Sequence, residues 1–401
     1  MAQKQTPKYM QLKEEVVSWV KTGRYPPGAQ LPTELELAEL FNVSRQTVRQ
    51  ALADLVREQL LSRVQGRGTF VAERSLEPVT TPSVVQGPNK IIGVVTTYIS
   101  DYIFPEIIRG LEYQLGALGY SLLLLNTQNN FDLERRALQR IIDTNVTGLI
   151  VEPTKSAIDN PNLDMYLTLI AQKTPMIMLH ASYMELDVAT VRIDDVEAVS
   201  RLTQTVIDFG HHAIGGLFKD DDIQGKLRMR GYLRTLGQNN VDIHPAFIKR
   251  YNTEDLTDVV RAYVETVEST PVEQRPTAVV CYNDETAMKL MEALKSSGIG
   301  VPEDISVVGF DNSQYSHLCD PKLTTVDHPK FNMGITVADL IIDVISEVHS
   351  GQPKRIRDVI MDCEVITRPS LKDLRTNRPA PEAFSKEVEA DSVASSHVDR
   401  G

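Results

Sequence analysis

Only three cysteines, Cys281, Cys319 and Cys363, occur in the 401 residues, and no two share the spacing of a zinc-ligand pair or a disulfide framework. They read as small buried hydrophobes in a protein of the reducing cytoplasm. No apolar run approaches the roughly 18 residues that cross a bilayer, and no charged-then-apolar leader opens the chain, so neither a membrane span nor secretion is expected. Nucleotide and nucleophile signatures are missing too. No G-x-G-x-x-G follows the first strand, IIGVVTTYI, and neither G-x-x-x-x-G-K-[ST] nor G-x-S-x-G is present. The expectation is a binding protein and not an enzyme, with no cofactor and no metal site.

Length fits two or three domains, and a hydrophobic content of 42% is ample for real cores. The net charge of −12 is unevenly spread: residues 1–75 carry +3 and the remainder −15. A basic head on an acidic body suits a nucleic-acid regulator whose larger part stays off the polyanion.

The head is organised by Leu31–Ala72, LPTELELAELFNVSRQTVRQALADLVREQLLSRVQGRGTFVA. An opening helix over 6–22 repeats Tyr9, Leu12, Val16 and either Trp19 or Val20 at helical spacing. Lys4 and Lys8 either meet phosphates or belong to an unstructured end. Thr33 and Glu36 have capping-box spacing, and the helix they start is expected to bury Leu37, Leu40 and Phe41. Ser44 caps a second helix that points Val48, Leu52 and Leu55 inward and Arg45, Gln46 and Arg49 outward. Two arginines four apart on that face suit guanine edges and phosphates in a major groove. Alternations at Leu61–Gln65 and Thr69–Val71 flank Gly66-Arg67-Gly68, a tight hairpin whose Arg67 suits a minor groove. Gln65 and Gly66 are placed on the same surface. The reading is a winged helix-turn-helix, domain 1–73, of mixed α+β class.

Residues 74–89, RSLEPVTTPSVVQGPN, form a Pro-rich spacer. From Lys90 the chain alternates short apolar runs with helices: Ile91–Thr96, Tyr120–Asn126, Gly148–Glu152, Pro175–Leu179 and Val191–Ile193, then Ala213–Phe218, Ala278–Cys281 and Ser306–Gly309. Such runs mean parallel sheets covered on both faces, and two consecutive sets suggest two doubly wound α/β lobes with a cleft at the strands' carboxyl ends. This effector-binding and dimerisation domain spans 90–371. A polar tail, 372–401, lacks apolar periodicity and is expected to be disordered.

The cleft has the chemistry of a sugar site, which needs planar polar partners for hydroxyls and an aromatic surface for the ring face. Tyr98, Tyr102 and Phe104 follow the first strand and suit the ring. Glu152 and His180 end the third and fourth strands. Arg228 lies three residues before Gly231, Asn283 and Asp284 follow Ala278–Cys281, and Asp311 follows VVGF. His328 falls where the chain crosses between lobes. Amides and carboxylates at strand ends also cap helices, the bland role assigned to Asp284. Lys155 either neutralises Glu152 or meets the sugar, and His211-His212 reads as structural.

LPTE, VSRQTVRQAL and GRGTFV resemble the gluconate-repressor (GntR) family, which implies DNA contacts from Arg45, Thr47, Arg49, Gly66 and Arg67. IIGVVT, GLIVEP, LRMRGY, CYNDETA, VPEDISVVGFDN and LTTVDHP resemble the LacI/GalR effector domain, a fold shared with periplasmic sugar-binding proteins. That resemblance implies hydroxyl contacts from Arg228, Asn283 and Asp311. With YISDYIFPEIIRGLE, IVEPTKSA and CYNDE, the joined pair is similar to regulators that answer to L-arabinose. It implies an operator-bound homodimeric repressor released by L-arabinose or a related sugar. A different sugar ligand, a sugar-acting enzyme and a transport binding protein are the competing readings.

Overall fold

The computed structural model describes residues 8–21, 24–25, 28–41, 43–57, 60–64, 68–71, 90–99, 102–351 and 357–375. The spacer 74–89 and hairpin-tip residues 65–67 lie outside them, as do residues 376–401. The chain divides into two compact units, Met1–Gly87 and Pro88–Gly401.

In the head, α1 (Lys8–Lys21), α2 (Glu34–Phe41) and α3 (Arg45–Arg57) precede a hairpin of β1 (Leu61–Val64) and β2 (Gly68–Val71). Leu12, Val16, Trp19 and Val20 of α1 are buried with Val48, Ala51, Leu52 and Leu55 of α3. Both alternatives at the end of α1 therefore face inward. Residues 28–31 pair with β2 as well, through Leu31 N–Thr69 O (2.9 Å) and Val71 N–Ala29 O (2.9 Å). Leu40 departs from expectation, being 62% exposed. The buried face of α2 centres between Leu37 and Ala38, with Phe41 in its middle; at 100° per residue Leu40 lies about 110° from that centre.

The body holds a six-stranded parallel sheet and a four-stranded parallel sheet. Lobe one contains β3 (Ile91–Thr96), α4 (Phe104–Ala117), β4 (Ser121–Asn126), α5 (Phe131–Thr144), β5 (Gly148–Val151), α6 (Leu163–Ala171), β6 (Met176–Leu179) and β7 (Ala189–Ile193). The chain then crosses into lobe two: α7 (Asp195–Asp208), β8 (Ile214–Lys219), α8 (Ile223–Gln238), β9 (Ile248–Tyr251), α9 (Leu256–Glu268), β10 (Ala278–Cys281), α10 (Asp284–Ser296), β11 (Ser306–Val308) and β12 (Thr325–Asp327). It returns for α11 (Lys330–Ser350) and β13 (Val359–Met361), and crosses again for β14 (Glu364–Ile366), which pairs with β12.

Two consecutive sets were expected, with a crossing at His328; the chain crosses there, between β12 and α11, and also after β7 and after β13. The reason is packing. Helix α7 lies on α8, and α11 lies on α4, β5 and β6, while β13 completes the first sheet beside β7. Both helix pairs meet at glycines. A Cβ on Gly334 would stand 2.2 Å from Ile107 O, and one on Gly231 2.3 Å from Val196 O. Four short strands, β9, β12, β13 and β14, were not read from the sequence. The chain also continues in place through Arg375, four residues into the expected tail, with Leu374 N on Phe209 O (2.9 Å).

Strand order fixes where a ligand fits. In β13-β7-β6-β5-β3-β4 the order reverses at β3/β5, and in β11-β10-β8-β9 at β8/β10. Crevices open beyond the carboxyl ends of strands at such reversals.

Candidate functional site

Beyond these strand ends lies a cavity of about 490 Å³, within the ordinary range of small-molecule sites. All nine residues assigned to a sugar site, Tyr98, Tyr102, Phe104, Glu152, His180, Arg228, Asn283, Asp311 and His328, line it.

Glu152, one residue past β5, is buried. Its Oε2 accepts from Thr97 N (2.9 Å) and Thr97 Oγ1 (2.5 Å), and its Oε1 meets His180 Nδ1 at 2.9 Å. His180 in turn stands edge-on to His328, ring centroids 5.1 Å apart, and to Phe104 at 6.2 Å. Tyr98 and Phe104 are 6.1 Å apart. Lys155 does not pair with Glu152 and is not among the cavity-lining residues; it pairs with Glu254 at 2.5 Å and Asp221 at 3.9 Å.

From the other lobe, Arg228 lies on the inner face of α8. Its Nε donates to Asp195 (2.8 Å) and its Nη1 to Tyr282 O (2.8 Å). The guanidinium stacks 3.7 Å from the Phe310 ring centroid and 4.7 Å from Tyr282. Burial works against its charge, but Asp195 and Asp311 more than offset that and hold the proton more tightly than usual. Asp195 is shifted upward too, toward its neutral form, because burial outweighs Arg228. Both shifts describe one coupled pair, and the ion pair is the state the 2.8 Å contact supports.

Asn283 is the N-cap of α10, its Oδ1 accepting from Thr286 N at 2.9 Å while the residue lines the cavity. The cap expected of Asp284 thus belongs to Asn283. Asp284 is instead fully buried, accepting from Ser313 N (2.7 Å) and Thr325 Oγ1 (2.6 Å). Burial and the neighbouring Asp311 push its carboxyl up to about 7. Tyr102, expected against a ring face, uses its hydroxyl across the cleft, donating to Asp311 Oδ2 (2.6 Å) and accepting from Asp284 N (3.0 Å). His211 bridges Thr277 and Lys372 O, each at 2.9 Å, a structural role.

His180 Nε2, His328 Nδ1 and Asp311 Oδ1 are buried without a hydrogen-bond partner among the described residues. Burial, with His180, Lys330 and Arg228 nearby, holds His328 well below the ordinary imidazole range, so it is neutral. Buried polar atoms left unmade cost about 1–3 kcal/mol each, and a ligand bearing several hydroxyls satisfies donors and acceptors alike. Thr97, Asp195, Lys219 and Asp222 also line the cavity and were missed. Lys219 ends β8 and Asp222 stands at the N-cap position of α8, three residues on, so the strand-end rule that found Glu152 would have found them.

In the head, Ser44 Oγ accepts from Thr47 N (3.1 Å) and meets Thr47 Oγ1 at 2.8 Å. Arg45 and Arg49 are exposed. Arg49 donates from Nε (3.2 Å) and Nη2 (3.0 Å) to Glu34 Oε2, and Arg63 reaches Oε1 of the same carboxylate. The Arg49 hydrogen bond holds the Glu34 carboxyl below its usual range. Glu34 therefore organises a surface of which Arg49 was read from the sequence and Glu34 and Arg63 were not. Gln46 lies on α3 and Lys8 opens α1. Gln65, Gly66 and Arg67 lie outside the described residues.

Comparison with known proteins adds two family matches: bacterial regulatory proteins of the gntR family over residues 8–71, and a periplasmic binding protein-like domain over 203–371. An arabinose metabolism transcriptional repressor of Geobacillus stearothermophilus is 42% identical across 93% of this chain and all of that protein. The protein of the same description from Halalkalibacterium halodurans is 39% identical across 92% and 98%. Among solved structures, a periplasmic binding protein/LacI transcriptional regulator from Alkaliphilus metalliredigens QYMF, complexed with D-xylulofuranose, matches at TM-score 0.58 and 22% identity, over 70% of this chain and 99% of that one.

Proposed function

From the premise that this chain belongs to the family of arabinose metabolism transcriptional repressors, we propose a cytoplasmic homodimeric repressor. It holds operator DNA through α3 and the hairpin and lets go when L-arabinose enters the interlobe cleft. The observation that carries the sugar half is the set of three buried polar atoms that make no hydrogen bond among the described residues, His180 Nε2, His328 Nδ1 and Asp311 Oδ1 (the last 3.7 Å from Arg228 Nη2), beside the Tyr98 and Phe104 rings. Glu152, Arg228 and Asn283 supply further hydroxyl partners. Two such heads place α3 helices in half-sites about 34–36 Å apart or a multiple of that. Sugar touching both lobes favours one arrangement of them, and reciprocity requires operator DNA to weaken sugar by the same factor.

The proposal is one of binding without turnover. Calorimetry of the full chain against a panel of pentoses, hexoses and sugar phosphates tests the ligand: L-arabinose is expected to give saturable heat and to be recovered unchanged. Tighter binding of another sugar would overturn the choice of effector, and conversion of any sugar would overturn the exclusion of catalysis.

A further inference from the structure

The two lobes are also joined by residues outside the nine assigned to sugar, with Asp222, Thr253 and Glu254 at the cavity's margin. The three chain crossings leave from β7, β12 and β13, at one edge of the larger sheet and beside β11 of the smaller. The second junction is built toward the opposite edges, after the edge strand β4 and the interior strand β5 in lobe one and after the edge strand β9 and its neighbour β8 in lobe two. Four strand spacings separate β7 from β4 and three separate β11 from β9, which is roughly 19 Å and 14 Å at about 4.8 Å per strand.

At that junction Asn129 is buried, and its Nδ2 donates across the cleft to Thr253 Oγ1 (2.7 Å) and Asp222 Oδ1 (3.3 Å). Its Oδ1 accepts from Lys155 N at 2.7 Å, tying two loops of lobe one together. Lys155 then reaches Glu254 of lobe two at 2.5 Å. Backbone contacts run alongside: Ala157 N donates to Asp221 O (3.2 Å) and Ile223 N to Ser156 Oγ (2.9 Å). Asn129 (φ 52°) and Lys155 (φ 41°) both sit in the left-handed region, which asparagine tolerates locally and which lysine rarely adopts without contacts that hold it. The buried Glu134 fixes the lobe-one side, accepting from Tyr166, Tyr183, Asn160 and Asn162 at 2.8–2.9 Å.

We propose that Asn129 and Lys155 of one lobe, with Asp222, Thr253 and Glu254 of the other, form a latch that sets how much sugar the repressor needs before it releases DNA. The inference rests on the sugar-released repressor proposed above. Contacts that exist only with the lobes together stabilise that arrangement whether or not they touch sugar. Weakening them lowers the population competent to hold sugar, so the apparent sugar affinity falls by that fraction.

The test is an operator-binding titration of the full-length protein with L-arabinose. Asn129→Asp keeps the acceptor for Lys155 N and a side chain suited to the left-handed turn, but sets a carboxylate oxygen against Asp222. The arabinose midpoint for release is expected to rise about three- to tenfold, with sugar-free operator affinity at least as tight as wild type. Lys155→Glu is expected to raise the midpoint likewise, and Lys155→Glu with Glu254→Lys to bring it back to within about twofold of wild type. Rescue by reversal separates a latch from general loss of structure, and it decides the matter if Asn129→Asp does not fold. Wild-type midpoints in the single variants, or a reversed pair no better than Lys155→Glu, would overturn the latch. A wild-type protein whose operator affinity ignores L-arabinose would overturn the functional reading beneath it.

Discussion

At the scale of single residues, the proposed function gives Arg49 to DNA and Arg228 to sugar. Arg49 is an exposed cation held ready by Glu34; Arg228 is a buried cation held by Asp195, Tyr282 O and the Phe310 ring. Arg49→Ala is expected to weaken operator binding by about 1–3 kcal/mol and leave calorimetric sugar affinity unchanged. Arg228→Ala is expected to abolish sugar heat and sugar-driven release while the head still binds operator. It strands Asp195 in the interior, so the body should also lose about 3–5 kcal/mol of stability in thermal melts. Equal loss of both activities in either variant would refute the division. Asp284 gives a pH test. Its carboxyl, ordinarily near 3.8, is pushed up to about 7 in the fold. Between those values the folded state keeps a proton that the unfolded chain has lost, so this residue's contribution to stability falls as pH rises from about 4 to 7. Asn carries no such proton. Scanning calorimetry at pH 4.5 and 7.5 should therefore show wild type losing ground to Asp284→Asn on going up, by at most about 1.4 kcal/mol per pH unit. An unchanged gap would show that the carboxyl is not shifted.

Among elements, helix and strand positions were legible wherever periodicity was long. α1, α3 and the apolar strands β3, β5, β6 and β10 fall within a few residues of their sequence patterns, and the capping box is present, with Thr33 N on Glu36 Oε2 at 2.7 Å. What escaped was too short or too distant to leave a pattern. β12, β13 and β14 have three residues each, below any readable alternation, and their pairing is decided by strands up to 168 positions away, as in Val359 beside Val191. Leu40 misled because an eight-residue helix buries a face too narrow for every apolar residue on it. Every residue assigned to the cleft lines it, since strand ends are visible in sequence. Lys219 and Asp222 were passed over although the same rule points to them, and Tyr102 was given a ring-facing role because its reach across the cleft depends on two lobes meeting. The glycine crossings of α4 with α11 yield an element-scale prediction. Gly334→Val puts side-chain atoms where Ile107 O stands. The lobe-one helices must separate, with an expected cost of about 1–3 kcal/mol or more in denaturant unfolding; an unchanged unfolding midpoint would mean that this close approach does not hold the pair.

For the molecule as a whole, the charge map assigned the head to nucleic acid and the body away from it, and the relatives bear out a repressor of arabinose metabolism. The order of strands in each sheet explains the rest: reversals in both sheets put a cavity between two lobes, with chain crossings at one edge and the Asn129 contacts at the other. The central claim is that a sugar in this cavity and DNA on the head are coupled. The most direct test is the operator affinity of the full-length protein, measured at fixed salt with and without saturating L-arabinose. The account predicts that affinity falls about 5- to 150-fold, a coupling of about 1–3 kcal/mol, and that operator DNA weakens arabinose binding by the same factor. Operator affinity unmoved by saturating sugar would contradict it.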